Sequence, residues 1–486
     1  MDNKVTGELF DKTFSGDITT EVSMPDYEAE IRRLLHVNAT FGEPEWYQNG
    51  GRMGVNGDVL YSVLYFGGDG ELHETEVREH YDIAEAYKGD RLPDAVFCEV
   101  YPESLTSRVS APRKLSIKCR ARAFTRGFCE DGIFEDLSYI ENPASIERLT
   151  EEVEYLRILP PIRKELLIEE SFAFNEGDAR IISTRADVYC DSTEVGNGEA
   201  TVKGNAHVTV LYEDEDGQIC LKEERIPIRE FIEADELTTS HKCSCRFSVN
   251  ECKTQIENGE LLASIDLSAS LFPTEYSTAK YSKDLYSTEH ESTVKKRVYS
   301  HISTGLGFCG SISESHKESL PSLDGAKIIT VIPYAQPKGL SIEDGRAYLS
   351  GEITLFTVCE KDGEKAPEDI KWQFKYEIPN REDIKFDTAP SLLYSSLCVT
   401  SPKIKLDGEN VLATCELHLS GELCTSSSFE AVGGATFGKE IKKDGGISVC
   451  FMGSSSLFES AKANHVTVAS ILSKNTDPEG DGFFIV

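Results

Sequence analysis

A short alternation of apolar and polar positions occurs three times along the chain, at Gly57–Tyr65, Gly204–Tyr212 and Gly351–Cys359. Each copy begins with glycine and is rich in Val, Leu, Tyr and Thr, with the period of two that is typical of a half-buried β-strand. The leading glycines are 147 residues apart in both intervals. Such even spacing predicts a domain that is repeated three times.

Each alternating segment leads into a polar turn that ends in Asp-Gly, at Asp69-Gly70, Asp216-Gly217 and Asp362-Gly363. Asp and Gly tolerate positive φ, so this pair is a strong signal for a tight turn between antiparallel strands. The repeated strand is therefore predicted to be the first arm of a β-hairpin, and the chain to be mainly β.

The rest of the pattern divides the chain into three β domains, a connector and a small C-terminal domain. The predicted segments are 18–135, 136–161, 162–300, 301–438 and 447–486.

One long helix is predicted within the connector, at Ser145–Leu159. Ile146, Leu149, Val153 and Leu156 recur at helical spacing, and Pro160-Pro161 follows as a stop. We expect this helix to join the first two β domains and to pack its apolar face on one of them.

Three shorter stretches carry weaker signals. Residues 1–17 are polar and predict a loosely ordered segment, and residues 273–296 predict an exposed loop or linker. Pro25 and the acidic residues after it favour a short helix whose apolar face includes Ile31 and Leu35.

The C-terminal segment has a different pattern. Ile447–Phe451 and Phe483–Val486 read as short strands, and Ser456–Ala463 and Thr467–Lys474 as short helices between them. The segment therefore predicts a strand–helix–helix–strand domain of the α+β class, small enough to be only marginally stable by itself.

The net charge limits the kinds of molecule that the protein is expected to bind. The 486 residues carry 84 acidic and 50 basic side chains, for a net charge of −34. Nucleic acids and anionic lipid surfaces require a basic footprint, so neither is expected to bind. The acidity is typical of a soluble protein whose copies repel one another, and a basic protein partner is the alternative.

No apolar run is long enough for a membrane-spanning helix and no secretory signal is seen, so a cytoplasmic location without membrane insertion is expected.

Two stretches of the sequence suggest a metal site, although neither has the complete spacing of ligands that such a site requires. His241, Cys243, Cys245 and Cys252 have the composition of a zinc cluster, but no second pair closes the tetrahedron, so buried thiols are favoured. Asp214–Gly217 suggests calcium but lacks the remaining ligands of a calcium loop, so a hairpin turn is favoured.

The sequence offers no pattern that is typical of catalysis. It contains no G-x-S-x-G, P-loop or H-E-x-x-H motif, and its ten histidines are scattered. We therefore expect a protein that is not an enzyme and that needs no cofactor or metal, with an enzyme as a minor alternative.

The repeated unit resembles the SPOCS domain of spore coat and cortex proteins (the DUF3794 type). In the first copy the similarity lies in Glu21–Leu35, the Gly57–Gly70 hairpin and Ser110–Ile117. In the second copy it lies in Gly204–Gly217 and Ile226–Ile232, and in the third mainly in the hairpin. The resemblance implies three tandem β-sandwich-like domains in which Gly57, Gly204 and Gly351 are structural residues.

The C-terminal segment is similar to a LysM domain, a module named for peptidoglycan binding. Departures from the LysM pattern include Ser454-Ser455 where Gly-Asp is usual and Ser460 at an aliphatic position. By resemblance, two loops at 454–456 and 475–480 would flank a groove for a glycan or a protein partner. The candidate site residues are Ser454, Ser455, Ser456, Leu457, Phe458, Asn475, Asp477 and Gly480.

SPOCS repeats followed by a LysM-like segment look like the layout of SipL-type proteins. That resemblance implies a non-enzymatic adaptor in the mother-cell cytoplasm, at the forespore surface, that links spore coat and cortex assembly to the ATPase stage IV sporulation protein A. Contact with other coat proteins is also implied. A peptidoglycan-binding protein and a self-assembling structural coat subunit are the alternatives.

Overall fold

The structure, a computed structural model, describes residues 3–89, 91–133, 146–174, 179–380 and 390–440. The described regular elements are twenty β-strands and one turn of 3₁₀ helix at Pro321–Leu323. They form three units of similar plan, called units 1, 2 and 3. The prediction of a mainly β protein is confirmed.

Unit 1 contains β1 to β7: Lys4–Ser23, Ile31–Phe41, Glu45–Asn49, Arg52–Gly67, Leu72–Ala86, Ala95–Ala111 and Lys114–Gly132. Unit 2 contains β8 to β14: Ile146–Ile158, Ile162–Ala173, Arg180–Val195, Glu199–Glu213, Ile219–Glu233, Lys242–Glu257 and Glu260–Ser287. Unit 3 contains β15 to β20: His290–Ser319, Lys327–Glu343, Arg346–Lys361, Glu364–Glu377, Ser391–Asp407 and Asn410–Glu440.

Each unit is a sandwich of two antiparallel sheets. In unit 1 the sheets are β1-β7-β6 and β2-β4-β5, with β3 extending the edge beside β4. Alternate residues of both sheets point inward and share one apolar core, which includes Ile18, Val59, Tyr61, Ile83 and Ile117. Units 2 and 3 repeat this plan with cores of their own.

The repeated segment is the central strand of one sheet in every unit: β4, β11 and β17. Each strand turns at its Asp-Gly sequence into the next, which confirms the predicted hairpins. Gly70, Gly217 and Gly363 have φ values of 86°, 74° and 78°, in the region that favours glycine.

Three two-stranded ribbons extend from the sandwiches and pack against one another. They are formed by β1 with the end of β7, by β8 with the end of β14, and by the start of β15 with the end of β20. The residues buried between the ribbons are Val5, Ile133, Tyr155, Ala279, Tyr281, Tyr299 and Ala431. The ribbons therefore give the three units a common core.

The predicted connector helix is wrong. Ile146–Ile158 is β8, which pairs with β14 from Ile158↔Thr274 to Ile146↔Ser287. Tyr155 and Ile158 are buried in apolar clusters between the units, whereas Leu149, which the helical pattern places inside, is 56% exposed. Pro160 and Pro161 do separate β8 from β9, because proline lacks the backbone N–H that would continue the strand pairing.

Three other expectations are also corrected. Most of residues 1–17 belong to β1, and residues 273–296 belong almost entirely to β14 and β15. The residues after Pro25 form a turn that leads into β2 at Ile31, without a helix. Residues 1–17 and 273–296 are polar because a ribbon buries only part of its side chains, so a low apolar content did not exclude long strands.

The three units contact one another cyclically. Arg180 of β10 donates to the carbonyl oxygen of Leu72 in unit 1 at 3.3 Å, and Arg33 of β2 donates to the carbonyl oxygen of Lys365 in unit 3 at 2.8 Å. Arg33, Arg180 and Lys327 occupy the same position in the strand registers of units 1, 2 and 3. The two contacts of Arg33 and Arg180 are therefore equivalent. The chain therefore folds as an intramolecular assembly with approximate threefold symmetry.

Glu422 of β20 is a buried carboxyl group between units 2 and 3. It accepts hydrogen bonds from Ser244 Oγ at 3.1 Å and Thr274 Oγ1 at 3.4 Å. Burial raises its pKa from 4.5 to about 7. Between these values the folded protein keeps a proton that the unfolded chain releases, so this group lowers stability as the pH rises through that window.

Replacing Glu422 by glutamine should therefore stabilise the protein at pH 8, by at most about 3 kcal/mol, and leave it nearly unchanged at pH 4.5. Glutamine keeps an acceptor oxygen for one of the two hydroxyl groups, offers its amide N–H to the oxygen of the other, and removes the cost of ionising a buried carboxyl. Urea unfolding at the two pH values measures the difference. Glu430→Gln, an exposed change on the same strand, is the matched control, and an equal gain in both variants would contradict this account.

Candidate functional site: a cavity between the three units

A cavity of about 1090 Å³ lies where the three units meet. We call it the axial cavity. Its walls come from equivalent strand pairs: β2 and β6 in unit 1, β10 and β13 in unit 2, and β16 and β19 in unit 3. These strands lie at the inner edges of the sandwiches, so the cavity is a product of the threefold arrangement.

Equivalent positions of the three hairpins also face the axial cavity. One equivalent set of lining positions on the central strands is Ser62, Thr209 and Phe356, and their partners across the hairpins are Glu76, Glu223 and Asp369. One acidic residue per unit therefore occupies the same place. Asp369 follows Glu223 by one residue less than the repeat length, because the turn of the third hairpin is shorter.

The lining is strongly acidic. Among the described residues, its cationic side chains are those of Arg185, Arg246 and Lys371. Its acidic residues are Glu43, Glu74, Glu76, Glu99, Glu103, Asp187, Glu223, Glu251, Glu352, Glu368 and Asp369. All three cations are already paired: Arg185 with Asp187 at 2.6 Å, Lys371 with Asp369 at 2.9 Å, and Arg246 as described next.

Arg246 lines the cavity and joins the units there. Its side chain is 10% exposed, with Nη2 2.7 Å from Glu43 Oε1 and Nη1 3.1 Å from Glu99 Oε1, both in unit 1. Glu99 also accepts hydrogen bonds from Tyr101 Oη at 2.9 Å and from the backbone N–H of Ser395 at 2.7 Å. One buried network thus contacts all three units.

The pKa shifts in this network follow from burial and from the guanidinium groups. Burial would raise the pKa of Glu43, but Arg246 and Arg163 outweigh it and hold that pKa below its ordinary value. Burial raises the pKa of Glu99 by more than Arg246 lowers it. Burial alone would lower the pKa of Arg246, but Glu43 and Glu99 raise it, so the guanidinium stays charged.

Two further titratable groups lie on the wall. Burial raises the pKa of Glu74 to about 7, with a smaller rise from Glu76 and opposing effects from Ser183 and Arg185. Burial lowers the pKa of His36 to about 4, and its ring stacks on Phe356 with centroids 3.7 Å apart. His36 is therefore neutral near pH 7 and adds no positive charge to the cavity.

Some polar atoms of the lining residues are buried without a hydrogen-bond partner among the described residues. They are His36 Nε2, Arg185 Nη1, His207 Nε2, Arg246 Nε and Ser395 Oγ. All three units contribute to this set. These atoms have almost no accessible surface, so they lie inside the cavity wall and do not face its open space.

The repeat glycines are structural residues outside the cavity lining. Gly57, Gly204 and Gly351 occupy equivalent positions on β4, β11 and β17. A Cβ on Gly204 would lie 2.2 Å from the carbonyl oxygen of Tyr189, and one on Gly351 would lie 2.4 Å from that of Gln336. Both glycines lie beside a bulge in the neighbouring strand, where the two backbones approach too closely for a side chain.

The predicted LysM-like site lies outside the described residues. This applies to all eight of its candidate residues between Ser454 and Gly480 and to the whole predicted domain at 447–486. The cavity residues that the sequence analysis missed do carry a signal. Glu76 and Glu223 are separated by the repeat length of 147, so extending the comparison past the turn would have found them.

The alternative metal sites do not form where they were considered. Cys243, Cys245 and Cys252 lie along β13, and they do not come together with His241 into a ligand cluster. Asp214 Oδ1 instead accepts the backbone N–H groups of Asp216 and Gln218, at 3.0 and 2.8 Å, within the hairpin turn. This is the turn that the sequence favoured over calcium binding.

One group of three possible metal ligands is found elsewhere among the described residues. Side-chain atoms of Asp69, Glu71 and His73 lie within 4.8 Å of one another on the first hairpin turn. Asp69 Oδ2 is hydrogen-bonded to His73 Nε2 at 2.9 Å, and Glu71 pairs with Arg180 at 3.2 Å. These contacts account for the group without a metal.

Comparison with known proteins gives one match. The family model described as "SipL, SPOCS domain" matches residues 179–257, which are the four strands β10 to β13 of unit 2. No curated protein and no solved structure matches. Within the described residues, no helix is long and apolar enough to cross a membrane.

Proposed function

Because this chain carries a SPOCS domain and is similar to SipL, we propose that it is a non-enzymatic sporulation adaptor that links spore coat and cortex assembly to the forespore-encasing ATPase, stage IV sporulation protein A. The family match carries this proposal. Units 1 and 3 share the strand plan of the matched unit, which supports treating the three as one SPOCS assembly.

One feature of the structure and one of the sequence support a scaffold. First, the units are joined by the ribbon core and by the Arg246 network, so contacts on different units would be held at fixed distances. Second, the chain continues beyond β20 for another 46 residues, 441–486, which include the LysM-like segment. We propose that this segment docks on the ATPase, and that the protein acts in the mother-cell cytoplasm at the forespore surface.

Co-sedimentation with polymerised stage IV sporulation protein A tests this role. We expect the full chain to pellet with the polymer and a version that ends at Gly445 to stay in the supernatant. A chain whose residues 447–486 are scrambled at constant composition is the matched control, because it keeps length and charge. Binding by all three versions would place the contact on the β units, and binding by none would refute the adaptor role.

Glycan binding by the same segment is separated from this role by a second sedimentation. Purified cortex peptidoglycan replaces the ATPase polymer, with the same three versions of the chain. Pelleting of the full chain alone with peptidoglycan, and not with the polymer, would favour a glycan-binding protein over the adaptor.

Self-association is a second candidate function, and an observation in unit 2 favours it. The strands β9 and β12 each pair on one side only within the described chain. They expose Leu167 and Phe231, at 62% and 63%. Unpaired strand edges with exposed apolar side chains are templates for pairing between copies. Light scattering of the pure protein tests this. Self-association is supported if the particles grow with the unchanged protein and do not grow when Leu167 and Phe231 are both changed to lysine.

A further inference from the structure

The outward face of the sheet β1-β7-β6 in unit 1 is basic. Along β7, buried apolar side chains such as Leu115 alternate with exposed cations. We call these exposed cations the basic face: Lys114, Lys118, Arg120 and Arg122. Together with Arg108 of β6 they outnumber the carboxylates on the same side of the sheet, which are Asp17, Glu21 and Glu103. This face is therefore a local exception in a chain whose net charge is −34.

The cations of the basic face are exposed and weakly held. The side chains of Lys118, Arg120 and Arg122 are 57%, 53% and 45% exposed. They share two carboxylates: Asp17 lies 3.0 Å from Lys118 Nζ and 3.7 Å from Arg120 Nη1, and Glu103 contacts both Arg120 and Arg122. Exposed ion pairs contribute little to stability, so these cations can exchange partners at low cost.

The equivalent positions of the other units lack this positive charge. Where unit 1 has Lys118 and Arg120, units 2 and 3 have a hydroxyl group and a carboxyl group. These residues are Ser264 and Asp266 on β14, and Thr414 and Glu416 on β20, as the strand registers align them. All three strands are central in equivalent sheets, and the fold constrains only their buried alternate residues. The positive charge is therefore a property of the surface of unit 1 and not a requirement of the sandwich.

The corresponding face of unit 2 is acidic and has an exposed apolar side chain within it. We call it the acidic face: Glu165, Leu167 and Glu169 of β9 with Asp266 of β14. Leu167 is 62% exposed and lies directly opposite Asp266, and Glu165 and Glu169 are on the same side of β9. An apolar side chain among charged ones has the composition of a protein interface with a polar rim.

We propose that the basic face of one copy packs on the acidic face of a second copy of this chain. The inference deepens the self-association given above as the second candidate function, but it places the contact on sheet faces instead of strand edges. Each copy has both faces, so the contact is heterologous and copies add head to tail. Leu167 packs on the methylene stems of the facing cations and near Phe124, which is 39% exposed on β7.

The overall acidity of the chain does not prevent this contact. At physiological ionic strength, exposed charges more than about 8 Å apart are largely screened from one another. The groups that face each other across the contact therefore determine whether two copies associate, and here they have opposite signs.

Two charge-reversal variants and their mixture test the proposal. Lys118→Glu/Arg120→Glu reverses the basic face, and Glu169→Lys/Asp266→Lys reverses the acidic face. In sedimentation velocity of the full chain at about 0.15 M salt, the unchanged protein should form oligomers that increase with concentration. Each variant alone should associate at least about tenfold more weakly. An equimolar mixture of the two should associate again, because each face then meets its complement on the other variant, and misfolding could not be rescued in this way.

Lys295→Glu/Lys317→Glu is the matched control, since it makes the same change of net charge at exposed positions outside both faces. It should associate as the unchanged protein does. The proposal is overturned if this control is weakened as much as Lys118→Glu/Arg120→Glu, or if the mixture fails to associate. Oligomers that persist in both variants also overturn it and leave edge pairing through β9 and β12 as the explanation. A monomeric unchanged protein excludes both modes of self-association and leaves the basic face to a different, acidic protein.

Discussion

Replacing Arg246 by methionine should lower the free energy of unfolding by about 3–5 kcal/mol. The change removes the guanidinium from a network in which Glu43 and Glu99 are 8% and 12% exposed. Both carboxylates then remain buried without their main counter-charge, and the cost of an unpaired buried charge exceeds the value of the original pair. Urea unfolding monitored by circular dichroism measures the loss.

Two further variants separate charge from packing at this position. Arg108→Met is the matched control, because Arg108 is exposed on β6, and it should change stability by less than about 0.5 kcal/mol. Adding Glu43→Gln and Glu99→Gln to Arg246→Met should recover much of the loss, since no buried carboxylate then lacks a counter-charge and Arg163, which loses Glu43, is partly exposed. If the triple variant is as unstable as Arg246→Met, packing rather than charge explains the effect.

Replacing Phe272 by alanine should destabilise the protein by about 3–5 kcal/mol and should also uncouple the units. Phe272 of unit 2 is 2% exposed, and its ring lies 5.3 Å from Phe97 of unit 1 and 4.2 Å from Tyr394 of unit 3 between centroids. One aromatic side chain therefore joins the three sandwiches. Because each sandwich has a separate core, losing this aromatic contact should let the three sandwiches unfold in separate steps.

Calorimetry measures this second effect as a broadened or split transition with a calorimetric enthalpy above the van't Hoff value. Phe231→Ala removes the same side chain from an exposed strand of the same unit and should leave a single sharp transition. A single transition for Phe272→Ala, merely shifted to lower temperature, would show that the ribbons suffice to couple the units.

The two positions are not independent. The guanidinium carbon of Arg246 lies 5.5 Å from the centre of the Phe272 ring, within the range of a cation–π contact. The double variant should therefore lose less stability than the two separate losses combined.

The repeated strand and its turn were predictable because both depend on local chemistry. Alternating Val, Leu and Tyr residues fit the pleat of a half-buried strand, and Asp362-Gly363 adopts the positive φ values that such a turn requires. The spacing of Gly57, Gly204 and Gly351 placed these strands at equivalent positions before any contact was known. The same spacing marks Glu76 and Glu223, so part of the cavity was also present in the sequence.

The ribbons were not predictable, because their partners are distant in sequence. Ile146–Ile158 has a helical spacing of apolar residues, yet β14 pairs with it from more than a hundred residues away. The intrinsic preference of such a short segment for one secondary structure is small, and hydrogen bonding to a distant strand overrides it. Residues 1–17 and 273–296 were misjudged for the same reason, since a ribbon is stabilised by its pairing more than by its apolar content.

The sequence by itself determined the class of fold, the number of units and the turns that close their hairpins, because each of these depends on neighbouring residues. Tertiary structure alone decided how the units meet. No local pattern marks Arg246, Glu43 and Glu99 in the sequence, and they form a buried network in the lining of the axial cavity only when the units close around one axis. A local pattern specifies which face of a strand is buried, but it carries no information on which distant charge will lie opposite.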